Sequence, residues 1–293
     1  MGWLSWLCGR GVFFLPEVIL EARDIEFEYP DGTKALRGVS MGIPKGKKTA
    51  VLGPNGAGKT TIFLHFNGIL KPTKGKIRFA GRDICYSHAF LLELRKNVGI
   101  VFQDPDTQLF SASVLQEISF GPLNLGLSRE NVLRRVNQAM AATEIVELKD
   151  RPTHFLSYGQ KKLVSIADIL AMQPTVLICD EPTAWLDPGN AARIMDLFDR
   201  INQEGVTIIF STHDVDLAYS WADYIFVMNQ GLVAGEGIPE EVFQNESLLK
   251  EADLNKPWLI DVYDELKRKR WVVADMPPPK TRQELMSRIS NSP

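Results

Sequence analysis

Cysteine is scarce in this sequence. Cys8, Cys85 and Cys179 are odd in number and far apart, so neither a disulfide framework nor a zinc-ligand spacing can be drawn from them, which fits a reducing compartment. Long apolar runs are missing as well: no stretch approaches the roughly 20 residues that a membrane-spanning helix needs. The nearest, "MGWLSWLCGRGVFFLPEVIL", is broken by Gly9, Arg10, Gly11, Pro16 and Glu17 and lacks the basic start and small-residue cleavage site of a secretory leader. Residues 1–18 read as an extension ahead of the domain; an interfacial anchor through Trp3, Trp6, Phe13 and Phe14, or a partner-docking segment, are the other readings. An excess of positive charge is also absent. A net charge of −3 excludes general nucleic-acid binding through bulk charge, and no nucleic-acid partner is expected. His65, His88 and His154 are scattered, giving no metal-site spacing, and no segment repeats.

What is present is an ordinary globular composition, 45% hydrophobic and 24% charged over 293 residues, enough for one large domain or two modest ones. Order is expected from about Ile19. "ILEARDIEFEY" alternates as a strand does, "PDGT" turns, and "KALRGVSMGI" reads as a second strand, so the chain starts β-rich. "TAVLG" is a short buried strand, and "GKIRFAGRDI" and "NVGIVFQ" return to strand character. Residues 105–172 read as mostly helical, with Leu163, Ile166, Ala167 and Leu170 on one face of the last helix and Pro174 just past its end. "TVLICDEP" and "VTIIFSTHD" are buried strands flanking a helix that Gly205 closes, and "DYIFVMNQGLVAGEG" looks like a hairpin turning at Gln230–Gly231. Alternating buried strands and helices imply a mainly parallel α/β sheet. Residues 238–272 carry two short helical patterns, and the proline-rich stretch 273–293 reads as a loosely ordered tail.

The chemistry concentrates in "GPNGAGKTT". Gly53, Pro54, Asn55, Gly56, Ala57, Gly58, Lys59 and Thr60 fit G-x-x-x-x-G-K-[ST] between a strand and a helix. Glycines let successive N–H groups turn inward as an anion nest, and the following helix adds its positive end. Lys59 is placed to reach β- and γ-phosphates, Thr60 to ligate Mg²⁺, and Thr61 to donate toward the α-phosphate. A mildly acidic chain can thus bind a tetra-anion through locally converging donors. "VLICDEP" supplies the other half: Asp180 and Glu181 end a buried strand, where open α/β sheets bind ligands. Asp180 is expected to hold Mg²⁺ through water, and Glu181 to act as general base on the attacking water. Cys179 reads as a small core residue.

The order of the remaining motifs narrows the reading. "VFQDP", "LSYGQ", "WLDP" and "STHD" follow the phosphate loop in sequence, and together they resemble the ATP-binding cassette family of ATPases over residues 19–237. The fold this implies is a phosphate-loop core sheet with an N-terminal antiparallel β subdomain, a helical signature subdomain and a short C-terminal helical extension. The resemblance implies ATP and Mg²⁺ as ligands. It makes Gln103 the Q-loop glutamine that senses Mg²⁺ and γ-phosphate and His213 the switch histidine that holds Glu181 and the water in line. Asp187 becomes the D-loop aspartate at a dimer interface, and Tyr29 an aromatic stacked on adenine. It also implies a head-to-tail dimer, with an identical chain or a paralogue, in which Ser157, Gly159 and Gln160 of one chain complete the site of the other.

Within that family "VFQDPDTQLF", "FGPLNLGLS", "LSYGQKKLVSIADILAMQP" and "EEVFQNESLLKEADLNKP" look most like cobalt- and nickel-type importers of the energy-coupling-factor group. The implied protein is a peripheral ATPase on the cytoplasmic face of the membrane, docked to membrane subunits near Gln103 and Gln108–Phe110. A vitamin-type importer of the same group is the nearer alternative. A soluble repair or translation ATPase is the farther one, and it fits less well: no long coiled coil separates the phosphate loop from "LSYGQ", and the chain holds a single cassette. Glu181 and His213 argue against a non-hydrolytic subunit. The sequence departs from the group at Tyr158 and Trp185, where glycine is usual, and at Leu163 and Asp168. The "KRKR" run, Lys267–Arg270, reads as a solvated helix end, with contact to anionic lipid as the other reading.

Overall fold

A computed structural model describes residues 17–272 and 276–290; the N-terminal aromatic set lies outside the described residues. The chain opens with β1 (Val18–Glu28), β2 (Lys34–Pro44) and β3 (Lys48–Leu52), then α1 (Lys59–Phe66), β4 (Lys74–Phe79), the short β5 (Arg82–Asp83), α2 (His88–Asn97) and β6 (Val98–Val101). A helical stretch follows as α3 (Val114–Asn124), α4 (Arg129–Ala142) and α5 (Tyr158–Ala171). Next come β7 (Val176–Cys179), α6 (Pro188–Gln203), β8 (Thr207–Thr212), α7 (Val215–Trp221), β9 (Tyr224–Asn229) and β10 (Leu232–Gly237). The chain continues through α8 (Pro239–Gln244), α9 (Glu246–Glu251), α10 (Trp258–Arg268) and α11 (Arg282–Ser290).

The strands form two sheets. One is antiparallel, in the order β2-β1-β4-β5; the other runs β10-β9-β3-β8-β7-β6, parallel except for the β9–β10 hairpin. The hairpin turns where expected, with Gln230 at φ 46° and Gly231 at φ 78°, the left-handed pair that a tight two-residue turn requires. The second sheet explains why its strands read as unbroken apolar runs. Ala50, Leu52, Leu177, Cys179, Ile208 and Phe210 face the core shared with the helices. Val51, Val176, Ile178 and Ile209 face the core under the antiparallel sheet. Burial on both faces removes the polar alternation of a half-exposed strand. Burial also pushes the Cys179 thiol up, consistent with a core role.

Two stretches differ from the sequence reading. The helix α2 carries no periodic signal because only Leu94 on it is buried. Residues 276–290, read as a loose tail, form a turn and α11, with Leu285 buried. The prolines there give up N–H donors but keep their carbonyls: Tyr219 Oη donates to the Pro278 carbonyl at 3.1 Å, and Tyr263 Oη to that of Met276 at 3.0 Å. The basic run closes α10, where Lys267 and Arg268 sit in the last turn, and Arg268 and Lys269 pair with Glu265.

The helical stretch hides an ionisable group. Asp168 on α5 is half-buried beside Glu117, and burial first, then the Glu117 charge, push its carboxyl up to about 7, offset in part by the Gln108 amide. An aspartate in the unfolded chain ionises near about 4. Between those values the folded chain holds the extra proton, so stability falls as pH rises through the window and levels off above about 7. Asp168→Asn removes the ionisation. Thermal melts are expected to show it more stable than the parent by roughly 1–3 kcal/mol at pH 8, with a clearly smaller gain at pH 5. An equal gain at both pH values would rule out the buried carboxylate as its cause.

Candidate active site

The parallel strands β3, β8 and β7 are neighbours, so the segments leaving their carboxyl ends meet. There they line a cleft of about 870 Å³ whose wall includes Tyr29, the phosphate loop, Gln103, Asp180, Glu181 and His213. The loop's glycines are needed for space as well as for turning. A Cβ on Gly53 (φ 145°) would stand 2.1 Å from the Met228 carbonyl oxygen, and one on Gly58 (φ 102°) would stand 2.8 Å from that of Ala35. The β9 and β2 backbones therefore approach the loop so closely that a side chain at either position would not fit. Gly58 starts α1 without a side-chain cap, so no side chain competes for the helix's first N–H groups. Lys59 is buried and donates to the carbonyls of Gly53 (2.6 Å) and Pro54 (3.2 Å). Desolvation lowers its pKa, opposed by the charges of Glu181 and Asp180.

The two acids are organised by a residue that the sequence reading passed over. Ser211, fully buried at the end of β8, donates to Asp180 Oδ1 and accepts from the Glu181 N–H at 2.9 Å. Thr60 donates to Asp180 Oδ2 at 2.5 Å. A hydroxyl and a carboxylate side by side, with Gln103 lining the same cleft, form the hard oxygen donor set that suits Mg²⁺. Glu181 takes a left-handed backbone (φ 44°), an unfavourable conformation for a non-glycine residue, and its Oε2 lies 3.1 Å from His213 Nδ1. Tyr29 flanks the opposite end, edge-on to Phe27 at 5.0 Å and with its hydroxyl 3.2 Å from Thr61 Oγ1. Lys34, Thr183 and Asp214 also line the cleft and were not picked out from sequence.

The signature residues are elsewhere. Ser157, Gly159 and Gln160 do not line this cleft. Ser157 and Gln160 instead form a capping box that opens α5, and Gly159 lies against Asn190 on α6. Asp187 caps α6 through the Asn190 N–H, which lowers its pKa. Trp185 lines the cleft at φ 67° with 82% of its surface exposed, a bulky residue in a conformation that favours glycine. Tyr158 is half-buried at the start of α5 and does not line the cleft; it donates through Oη to the Gln103 carbonyl at 3.0 Å.

A glycine-rich anion loop facing an aspartate–glutamate strand end, with a histidine just past the end of the neighbouring strand, defines a phosphate-loop nucleoside triphosphatase. The ABC transporter family pattern matches residues 36–184. A putative ABC transporter ATP-binding protein of Methanosarcina mazei is 47% identical over 93% of this chain, which spans 60% of that relative's length. An energy-coupling factor transporter ATP-binding protein, EcfA, of Methanocaldococcus jannaschii is 49% identical over 86% of this chain and 90% of its own. Among solved structures, cbiO1 of Clostridium perfringens, part of the ABC transporter complex cbiONQ, superposes with a TM-score of 0.73 at 46% identity, covering 86% of this chain and 99% of that one. The chain belongs to the ABC transporter ATP-binding family.

Proposed function

We propose that this chain is the ATPase subunit of an energy-coupling-factor importer, acting as half of a head-to-tail dimer. The observation that carries the dimer is the separation just described. The cleft holds the phosphate loop, Asp180, Glu181 and His213, while Ser157, exposed, and Gly159, half-buried, sit outside it at the N-terminal end of α5. A second cassette would bring its Ser157 hydroxyl and Gly159 N–H to this cleft, and this chain's own loop would complete the partner's. In a symmetric pair the interface is isologous, and both sites close together.

Within each site Lys59 and the loop N–H groups would bind the β- and γ-phosphates, with Thr61 toward the α-phosphate and Tyr29 on the adenine. Thr60 and Gln103, with Asp180 through water, would hold Mg²⁺, which neutralises phosphate charge when bound. Glu181 would take the proton of the attacking water, with His213 keeping both in line. Residues 19–237 form the ATP-binding domain in this reading and 238–272 its C-terminal extension.

No helix among the described residues is long and apolar enough to cross a membrane, so the transport path would lie in other subunits. Their docking place would be the apolar surface beside the Q-loop, where Phe110 (66% exposed) stacks edge-on against Phe120 at 4.9 Å and Leu123 is also exposed. The sequence resemblance to cobalt- and nickel-type importers makes those ions the proposed solute.

The composite site has a direct test. Lys59→Ala spoils a chain's own phosphate loop; Ser157→Ala spoils what it offers its partner and also removes the cap of α5, so its melting temperature is checked alongside. Each homodimer should be nearly inactive. Random pairing makes half of the dimers in the mixture heterodimers, each with one intact site, so mixing should raise the rate above that of either homodimer, to at most roughly a quarter of the parental ATPase rate. A mixture no more active than its separate components would refute the composite site.

A further inference from the structure

Tyr158 stands between the two signature residues that act on the partner's nucleotide, yet its side chain is anchored to the loop that reads this chain's own nucleotide. The Gln103 carbonyl accepts from Tyr158 Oη at 3.0 Å and from Lys162 Nζ at 2.8 Å, and Lys162 also donates to the Phe102 carbonyl at 2.8 Å. One turn of α5 is further fixed by Lys161 to Asp106 at 2.6 Å, and Gln108 Nε2 donates to the Ser165 carbonyl at 3.2 Å. The segment from Phe102 to Gln108 is thus fastened along the first turns of α5. Lys162 is fully buried and does the structural part of this. Tyr158 is half-exposed and adds a connection to the signature loop itself. A glycine, usual at this position in the family, has no side chain to make it.

The geometry points to Tyr158 as a positioning residue that couples the two ATP sites of the dimer. Nucleotide bound in this chain's cleft acts on Gln103; the Gln103 carbonyl, through the phenol, sets the attitude of Ser157 and Gly159 toward the partner's nucleotide. The inference rests on the composite dimer proposed above. The linkage is reciprocal, so nucleotide held at the signature side also biases Gln103. Removing the hydroxyl leaves Lys162 and its bonds to the Phe102 and Gln103 carbonyls in place, and hence the fold, while cutting the bond that ties the Gln103 carbonyl to the residue between Ser157 and Gly159.

The test is the ATP-concentration dependence of hydrolysis by the full chain and by Tyr158→Phe, with dimer formation followed in the Glu181→Gln background of each. The parent is expected to respond steeply, with a Hill coefficient approaching about 2, and Tyr158→Phe to fall toward about 1, both still dimerising with MgATP. A purely structural tyrosine would change the maximal rate or melting temperature without flattening the curve. Superimposable curves from two chains that both dimerise overturn the coupling alone. A Glu181→Gln chain that stays monomeric in MgATP overturns the composite dimer and the coupling with it.

Discussion

Lys59→Ala is expected to lose MgATP binding, by at least about a hundredfold in affinity. Two effects act in the same direction. The ammonium is the one cationic side chain that lines the cleft within the phosphate loop, and it is held there with little freedom by the Gly53 and Pro54 carbonyls. Its removal deletes a charge-assisted donor to the phosphates in a partly desolvated place, where such contacts are strongest. It also deprives Asp180 and Glu181 of a compensating charge, since both interact with Lys59 across the site. The remaining carboxylates then repel a tetra-anion. The two carbonyls lose the donor they shared, the Gly53 one in a buried position, so a melting curve must accompany the binding measurement. Isothermal titration with MgATP, beside a melting curve, separates the two consequences. Parental affinity in a folded variant would remove the phosphate loop from the proposed mechanism.

The phosphate loop was legible because several independent constraints fall on adjacent residues. Gly53 and Gly58 are forced by neighbouring backbones, Lys59 and Thr60 by phosphate and metal chemistry, and no other arrangement of a short segment asks for all of them. The strand-end acids were legible for a similar reason: a buried apolar strand ending in two carboxylates needs something to neutralise them. Ser211 was not, because a serine in "FSTHD" satisfies any strand end, and only the fold shows that it holds both Asp180 and Glu181. The lining residues Lys34 and Thr183 belong to segments far apart in sequence and meet only in the closed architecture. The tail shows the limit of composition. Its prolines suggested disorder, whereas "TRQE" is a helix-start signal: the Glu284 N–H donates to Thr281 Oγ1 at 3.1 Å, and the Glu284 carboxylate accepts from the Lys280 N–H at 2.7 Å. Local capping and two buried tyrosines outweigh the proline content. Tyr158 departs from the family's pattern in sequence, but its role follows only from where its hydroxyl goes.

Glu181→Gln is the sharper test of the chemistry, because it separates binding from hydrolysis. The substitution keeps shape and hydrogen-bonding capacity and removes only the ability to take a proton. The left-handed backbone at Glu181 constrains glutamine no more than glutamate, and the Ser211 hydroxyl that accepts the residue's N–H is untouched. The variant is therefore expected to bind MgATP at least as tightly as the parent, since a buried negative charge beside the γ-phosphate is gone. Loss of a general base costs about 10²–10⁴-fold in turnover. In the proposed cycle hydrolysis reopens the closed dimer, so ATP-bound dimers should accumulate, and size-exclusion chromatography in MgATP should show a stable species of twice the chain mass where the parent shows a transient one. Closure is driven by the difference in affinity between closed and open states, so blocking the exit shifts the population without any new contact. Turnover at the parental rate would transfer the base role away from Glu181. Slow turnover with weakened ATP binding would instead make the glutamate a ligand-positioning group, with the His213 contact at 3.1 Å as its reason for being there.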